Sequence, residues 1–295
     1  MDKKLETLRN EYKNTPIPDE LDFVLKKALK QKKKKHVNMK RSLVGVGAAA
    51  IILIIGINTS PAFAKTLSEV PFVGSLVKVV TFTEYKMNEK TYNAEIEVPA
   101  IENLDNESLQ STLNEKYLEE SKALFEEFQT EVESLKEIQD GGHLGVDSGY
   151  EIKTDTEQIL SIGRYVVNTV GSSSTTFQFD TIDKKNELLI TLPSLFKNEE
   201  YIDVISEEIK KQMISQMEQD SSLYYWVKNP NKKDESPFDP FEKIKPEQSF
   251  YINKNNKLVI VFNKYEVAPG YMGVVEFTIP SGVLSNVLVS NEYIK

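Results

Sequence analysis

Hydrophobic and polar positions follow two different periods after residue 65. Apolar residues at spacings of three, four or seven predict two main helices, over about 106–139 and 198–218. Alternating apolar and polar residues predict strands, which are 81–87, 91–98, 146–153, 159–170, 174–182, 187–192, 249–253, 257–265 and 273–279. Residues 220–247 are rich in Pro, Asn, Asp and Lys and predict a long surface excursion. This order of elements indicates an α+β domain with an antiparallel sheet and two main helices.

An uncharged segment precedes this domain. Residues 42–64 carry no charged side chain, and 43–57 are almost entirely apolar. Fifteen apolar residues are short for a full membrane span, which needs about 20, but they match the apolar core of a signal peptide. The A-x-A pattern at Ala62 and Ala64 predicts signal peptidase cleavage before Lys65. A buried helix of a soluble protein is the alternative, and the lysine run ahead of the segment disfavours it.

Charge is distributed unevenly on the two sides of this segment. The 295-residue chain has a net charge of −9, yet residues 1–41 hold thirteen Lys/Arg and six Asp/Glu. Residues 65–295 hold the other 23 basic and 39 acidic residues, a net charge of −16. Because basic flanks stay in the cytoplasm, we expect a single-pass protein of the cell membrane, with a cytoplasmic head at 1–41, a membrane segment at 42–64 and an extracellular domain at 65–295.

The head contains a short apolar stripe on either side of a Pro-Ile-Pro break. Its apolar positions are Leu5, Leu8, Tyr12, Ile17, Leu21, Val24, Leu25 and Leu29. About 40 residues are too few to bury such a stripe in a core of their own. The head therefore either lies on the membrane surface or is clamped by a partner protein, and the pattern itself leaves both open.

The composition gives little support for catalysis. The chain has no cysteine, so thiol chemistry is excluded. Its two histidines are His36, in the lysine run, and His143, so zinc sites with two or more histidines outside that run are also excluded. Ser172, Ser173 and Ser174 lack the G-x-S-x-G context of a serine nucleophile. We predict no catalytic residue, no metal and no cofactor. The acidic balance also argues against direct binding of nucleic acid.

A Pro-Gly turn between two predicted strands is the best candidate for a binding site. The segment 266–273 places Pro269 and Gly270 in the turn and Tyr271 and Met272 at its tip. An exposed aromatic side chain on a rigid turn is a typical binding anchor. A tyrosine folded back onto the sheet is the alternative.

Several sequence motifs, in the same order along the chain, resemble the bacterial anti-sigma-V factors. They are Leu8-Arg-Asn-Glu-Tyr-Lys13, Ile17-Pro-Asp-Glu-Leu21, Pro71-Phe-Val-Gly74, Asn114-Glu-Lys-Tyr-Leu118, Thr181-Ile-Asp-Lys-Lys185, Thr191-Leu-Pro-Ser-Leu-Phe196 and Tyr265-Glu-Val-Ala-Pro-Gly-Tyr-Met-Gly273. The outer part also resembles a domain in the non-catalytic portion of some peptidoglycan deacetylases. The resemblance covers nearly the whole chain.

The resemblance implies a signalling role. The apolar positions of the head would hold an extracytoplasmic-function (ECF) sigma factor, and the outer domain would be a receptor for C-type lysozyme. Lysozyme would expose the site around Ala62, Ala64 and Lys65 to signal peptidase, after which an intramembrane protease cuts the membrane segment. The family's contacts with lysozyme correspond to Pro269 and Tyr271, with Gly270 and Met272 in the same turn, and to one of Ser172, Ser173 and Ser174.

Two other functions remain possible from the sequence. One is an anchored protein that binds or modifies cell-wall peptidoglycan. The other is an anti-sigma factor with a ligand other than lysozyme, because the ligand-binding face depends on surface geometry.

Overall fold

A computed structural model of the chain describes residues 77–138, 142–229 and 238–295. The predicted head, the membrane segment and the cleavage residues Ala62, Ala64 and Lys65 lie outside the described residues. So do the predicted sigma-factor-binding positions, which are Leu5, Leu8, Tyr12, Ile17, Leu21, Val24, Leu25 and Leu29. None of the helices within the described ranges combines the length and the apolar character needed to cross a membrane.

The described residues form an α+β fold, as the sequence pattern predicts. Its strands are β1 (Lys78–Glu89), β2 (Tyr92–Glu102), β3 (Leu144–Asp155), β4 (Ile159–Val170), β5 (Ser172–Asp183), β6 (Leu188–Ile190), β7 (Phe250–Ile252), β8 (Leu258–Phe262) and β9 (Val275–Ile279). Its helices are α1 (Glu107–Lys136), α2 (Glu200–Gln219) and the short α3 (Ser281–Leu284). Strands β1 to β6 form one sheet in sequence order, and β7 to β9 form a second sheet.

The larger sheet is mixed, which corrects the prediction of an antiparallel sheet. Strands β2 and β3 pair in parallel from Tyr92–Leu144 to Ile96–Ser148, while the other neighbours are antiparallel. The 30-residue helix α1 connects these two strands and returns the chain to the end of the sheet where β2 began. A helical crossover of this length produces a parallel pair, and the strand pattern alone does not reveal that geometry.

Helix α1 begins at a polar cap and packs through a single stripe. The side chain of Asn106 accepts a hydrogen bond from the Leu109 amide at 3.0 Å, which satisfies one of the free amides of the first turn. Six positions at helical spacing are buried: Leu113, Tyr117, Ser121, Phe125, Phe128 and Val132. They cover one face of the larger sheet, and burial of each large apolar side chain contributes roughly 1.5–3 kcal/mol.

The smaller sheet and α2 enclose a second core. The buried face of α2, with Tyr201, Ile205, Ile209 and Met213, packs against β7, β8 and β9. The other side of this small sheet meets the larger sheet through stacked rings. Phe177 and Phe179 of β5 lie 5.6 Å apart, and Phe179 lies 5.4 Å from Tyr251 of β7.

The segment after α2 is not the surface excursion that its composition predicts. In its described parts, Tyr225, Trp226 and Ile244 are buried. The amide of Trp226 donates to the carbonyl of Val267 at 2.8 Å, and its carbonyl accepts from the amide of Phe241. These bonds fasten the segment along the edge of the second core, so its polar residues surround a few apolar anchors. We call the described residues 220–229 and 238–247 the strap.

Asp183 organises the turn between β5 and β6. Its carboxylate accepts hydrogen bonds from the amides of Lys185 at 2.8 Å and Asn186 at 2.9 Å, and from the Asn186 side chain at 2.8 Å. Burial raises the pKa of this carboxyl, but the hydrogen bonds from Asn186, Tyr293 and Gln158 together outweigh that effect and the pKa is lowered overall. The Thr-Ile-Asp-Lys-Lys motif at 181–185 is therefore a strand end followed by a side-chain-stabilised turn.

Candidate ligand-binding site

The turn after β8 exposes a tyrosine. Residues Gly270–Met272 form one turn of 3-10 helix. The side chain of Tyr271 is 69% exposed, and its hydroxyl donates a hydrogen bond to the carbonyl of Ser222 at 3.0 Å. The ring is therefore not folded onto either sheet. Pro269 precedes the turn, and Met272 packs partly against the second core. The turn thus presents one aromatic ring to solvent and is fixed from beneath.

The position of the Tyr265 ring explains why residue 270 is a glycine. Tyr265 has a φ of 69°, in the left-handed region that few non-glycine residues adopt. This backbone conformation directs its ring over Gly270, where a β-carbon would lie 2.2 Å from the ring. Two tyrosines separated by five residues therefore share one surface, and Gly270 allows the ring of Tyr265 to lie flat against the turn.

Lys264 connects this turn to the predicted serine segment. Its ammonium group donates to the carbonyl of Ser173 at 2.6 Å and to the Ser173 hydroxyl at 3.1 Å. Its amide donates to the carbonyl of Thr175 at 3.1 Å, and the ammonium lies 5.2 Å from the centre of the Tyr265 ring. The start of β5 and the 266–273 turn are therefore joined through one lysine.

We call the surface formed by Ser173, Lys264, Tyr265, Gly270 and Tyr271 the tyrosine face. It brings together the two segments predicted to bind the ligand. Because side chains alternate along a strand, Ser172 and Ser174 point to the face of β5 opposite to Ser173. Of the three predicted serines, Ser173 is the one that bonds to Lys264 in the described part of the chain.

Sequence reasoning missed Lys264 and Tyr265. Tyr265 begins the Tyr-Glu-Val-Ala-Pro-Gly motif, so its place next to the turn was visible, but its contact with Gly270 was not. Lys264 bonds to a residue 91 positions away in sequence. No local pattern reports a contact of that kind.

The backbone that supports the tyrosine face is firmly held. Val267 and Ala268 are buried, and the carbonyl of Val267 accepts the bond from Trp226 of the strap. The carboxylate of Glu266 accepts from the amide of Asn263 at 2.8 Å and from the side chain of Gln248 at 3.3 Å. A surface fixed in this way loses little conformational entropy when a ligand binds, which favours affinity.

The chemistry of the tyrosine face suits binding. It offers two flat rings, an ammonium group and a hydroxyl. Across residues 77–138, 142–229 and 238–295, there is no group of three or more His, Asp and Glu side chains placed to hold a metal ion.

We expect Gly270→Ala to weaken ligand binding about tenfold while changing stability by less than about 1 kcal/mol. The new β-carbon displaces the ring of Tyr265, and because this ring is half-exposed it can swing into solvent without disturbing the core. Gly282→Ala is the matched control, since a β-carbon there meets no atom within 4 Å. Titration calorimetry with hen lysozyme, the expected ligand, measures the affinity of both variants, and thermal unfolding measures their stability. Equal affinities for the two variants would contradict the role of the Tyr265–Gly270 contact.

Two family models match parts of the chain, and two solved structures resemble it. Residues 193–282 match the family described as "Protein of unknown function (DUF3298)", and residues 33–142 match the "Domain of unknown function (DUF4179)". A DUF3298 protein of Bacteroides fragilis is similar in structure, with 16% identity and a TM-score of 0.47 over 74% of this chain and 96% of that one. A DUF3298 protein of Pseudomonas aeruginosa has 10% identity and a TM-score of 0.49 over 74% and 97%.

One sequence relative matches throughout. The protein named anti-sigma-V factor RsiV of Bacillus subtilis strain 168 is 46% identical over 296 residues, covering 100% of both chains. A match of this extent includes the segments on both sides of residues 42–64. The chain therefore belongs to the anti-sigma-V factor family.

Proposed function

We propose that this protein is a membrane-anchored anti-sigma factor that sequesters an ECF sigma factor and senses C-type lysozyme through its outer domain. The tyrosine face is the observation that supports a sensing role for the outer domain. Its exposed ring and its braced backbone have the form of a preformed anchor for a protein ligand.

The sigma-factor role is supported by the full-length relative. Its printed name is anti-sigma-V factor, and the match includes residues 1–41. The head carries an apolar stripe that cannot form its own core, so a protein partner gives these side chains a place to be buried. The sigma factor would then be held at the cytoplasmic side of the membrane and kept from RNA polymerase.

Charge supports lysozyme as the outer ligand. Residues 65–295 have a net charge of −16, whereas animal lysozymes are strongly basic. Opposite net charges accelerate encounter at physiological salt, where the Debye length is about 8 Å. The rings of Tyr265 and Tyr271 then supply the short-range contacts on which specificity depends.

Release of the sigma factor would begin close to the outer domain. Thirteen peptide links separate Lys65 from Lys78, the first residue of β1, and they span at most about 45 Å. The length of the chain therefore keeps the bond after Ala64 within about 45 Å of β1. A ligand that favours the conformations in which the bond after Ala64 is accessible would raise their population. Signal peptidase would then cleave this bond more often. An intramembrane protease would then cut within residues 42–64.

The test uses the full-length chain in lipid nanodiscs with purified signal peptidase, with and without hen lysozyme. We expect lysozyme to increase cleavage at least about tenfold, and N-terminal sequencing of the product to begin at Lys65. Ala64→Trp is the control, because it removes the small residue that the peptidase requires while leaving lysozyme binding intact. Binding without any increase in cleavage would refute the switch, and the absence of binding would refute lysozyme as the ligand.

A further inference from the structure

The larger sheet has one face covered by α1 and one face turned away from it. Ile96, Val146 and Val166 pack into the core beneath α1. Because side chains alternate along a strand, Glu95 and Glu97 of β2, Asp147 of β3 and Tyr165 of β4 lie on the opposite face. We call these four residues the acidic sheet face. Glu95 and Asp147 are exposed, and Glu97 and Tyr165 are partly exposed.

The ring of Tyr165 lies flat on this face because β3 has a glycine beneath it. A β-carbon at Gly149 would lie 2.8 Å from the hydroxyl oxygen of Tyr165 and 3.0 Å from the adjoining ring carbon. The ring lies over β3, the strand that also carries Asp147, and its hydroxyl donates a hydrogen bond to the Asp147 carboxylate, with Glu97 on the neighbouring strand β2. Burial raises the pKa of Tyr165, and the negative charges of Asp147 and Glu97 raise it further. One flat ring and two carboxylates thus share a small area of open sheet.

The ring next to Tyr165 already contacts a cation of this chain. Phe177 lies 5.8 Å from Tyr165, and the ammonium group of Lys153 lies 5.5 Å from the centre of the Phe177 ring. Carboxylates flank that ammonium group, with Glu151 at 2.9 Å and Glu276 at 3.2 Å. The sheet therefore binds a lysine by combining a ring with two carboxylates.

Tyr165, Glu97 and Asp147 provide a similar combination of one ring and two carboxylates. Lys86 pairs with Glu95 at 3.0 Å, but within the described ranges no Lys or Arg forms an ion pair with Glu97 or Asp147. The acidic sheet face also borders the tyrosine face. Ser173, Thr175 and Phe177 project from the same side of β5, and Lys264 bonds to the first two of these residues.

We propose that the acidic sheet face docks lysine or arginine side chains of the basic protein that also contacts the tyrosine face. This rests on the proposed function and adds a second contact area to it. The tyrosine face supplies the aromatic anchor, while the acidic sheet face selects a partner of opposite charge and fixes its orientation. Each docked cation would be placed as Lys153 is, over a ring and between carboxylates.

The test compares two double variants that change the net charge by the same amount. Glu97→Gln with Asp147→Asn neutralises the acidic sheet face, and Glu119→Gln with Glu133→Gln neutralises two exposed carboxylates of α1. Binding of hen lysozyme to the full-length chain in a non-ionic detergent is measured from 50 to 300 mM NaCl. We expect the first variant to bind about tenfold more weakly at low salt and to depend less on salt, and the second to stay within about twofold of the wild type. Equal effects in the two variants would overturn the proposal.

A second probe separates this inference from the proposed function. Hexa-arginine peptide offers the cationic groups without the lysozyme surface. We expect Tyr271→Ala to weaken lysozyme binding about a hundredfold and to keep hexa-arginine binding, whereas the Glu97/Asp147 variant weakens both. If lysozyme does not bind the wild-type chain, the proposed sensing function is refuted. The peptide experiment alone then tests whether the acidic sheet face binds cationic side chains. Indistinguishable peptide binding by the wild type and by the Glu97/Asp147 variant would refute it.

Discussion

Tyr271→Ala is expected to weaken binding of C-type lysozyme about a hundredfold, which corresponds to about 2.7 kcal/mol of binding free energy. The ring is 69% exposed in the free protein, so a ligand can bury nearly all of it. It also projects from a turn that is fixed by Pro269, Gly270 and the buried residues before them, so little entropy is lost on binding. The full-length chain in a non-ionic detergent is titrated with hen lysozyme to measure the dissociation constant.

Two further variants make this result specific. Phe82→Ala removes another exposed ring, 46% accessible, from β1 at the opposite edge of the larger sheet from β6, and we expect it to leave the affinity unchanged. Tyr271→Phe removes only the hydroxyl that donates to Ser222, and we expect a loss of less than about fivefold. Wild-type affinity in Tyr271→Ala would exclude this turn as the main contact.

Asp180→Ala is expected to lower the stability of the outer domain by about 3 kcal/mol. The Asp180 side chain is almost fully buried and accepts hydrogen bonds from Lys116 at 3.0 and 3.3 Å. It also lies 3.5 Å from Nε of Arg164, whose side chain is 11% exposed and lies 4.5 Å from the centre of the Tyr117 ring. Removing the carboxylate leaves a guanidinium group largely buried with less compensation. Glu120 and Gln178 still contact it, which limits the loss.

The measurement is thermal unfolding followed by fluorescence of Trp226, the one tryptophan in the sequence. For a domain of this size, 3 kcal/mol lowers the midpoint by about 6 to 12 °C. Asp203→Ala is the matched control, because Asp203 forms an exposed ion pair with Lys243 and such pairs contribute roughly 0–1 kcal/mol. A midpoint for Asp180→Ala within 2 °C of the wild type would contradict the structural role of the buried carboxylate.

The two cores of the domain explain which strands could be predicted from the pattern. The prediction of a strand at 159–170 coincides with β4, whose first five residues are buried and whose last three are exposed. The prediction of 257–265 overran β8, which ends at Phe262 and is buried at every position. Residues 263–265 lie outside the strand, and Tyr265 takes a positive φ. Periodicity measures burial, so it cannot register such a change of backbone direction.

The candidate site was only half predictable for a related reason. Proline and glycine mark a turn in any sequence, so the position of Tyr271 at a turn followed from residues 269–270 alone. The exposure of its ring depends on the strap beneath it, because Ser222 accepts the hydroxyl bond and Trp226 holds Val267. The composition of the strap predicted an outlying loop, since three buried side chains are too few to produce a periodic pattern.

The local properties of this protein follow from the sequence alone: an α+β outer domain, its two main helices, most of its strands, the Pro-Gly turn, and an acidic domain after an uncharged segment. These properties depend on residues that are neighbours along the chain, whose spacing and chemistry act directly on the backbone. Four features arise only from tertiary packing: the parallel pairing of β2 with β3, the burial of the strap, the contact of Lys264 with Ser173, and the position of the Tyr165 ring over Gly149. These features join residues that are distant in sequence, and they form only when the two cores bring those residues together.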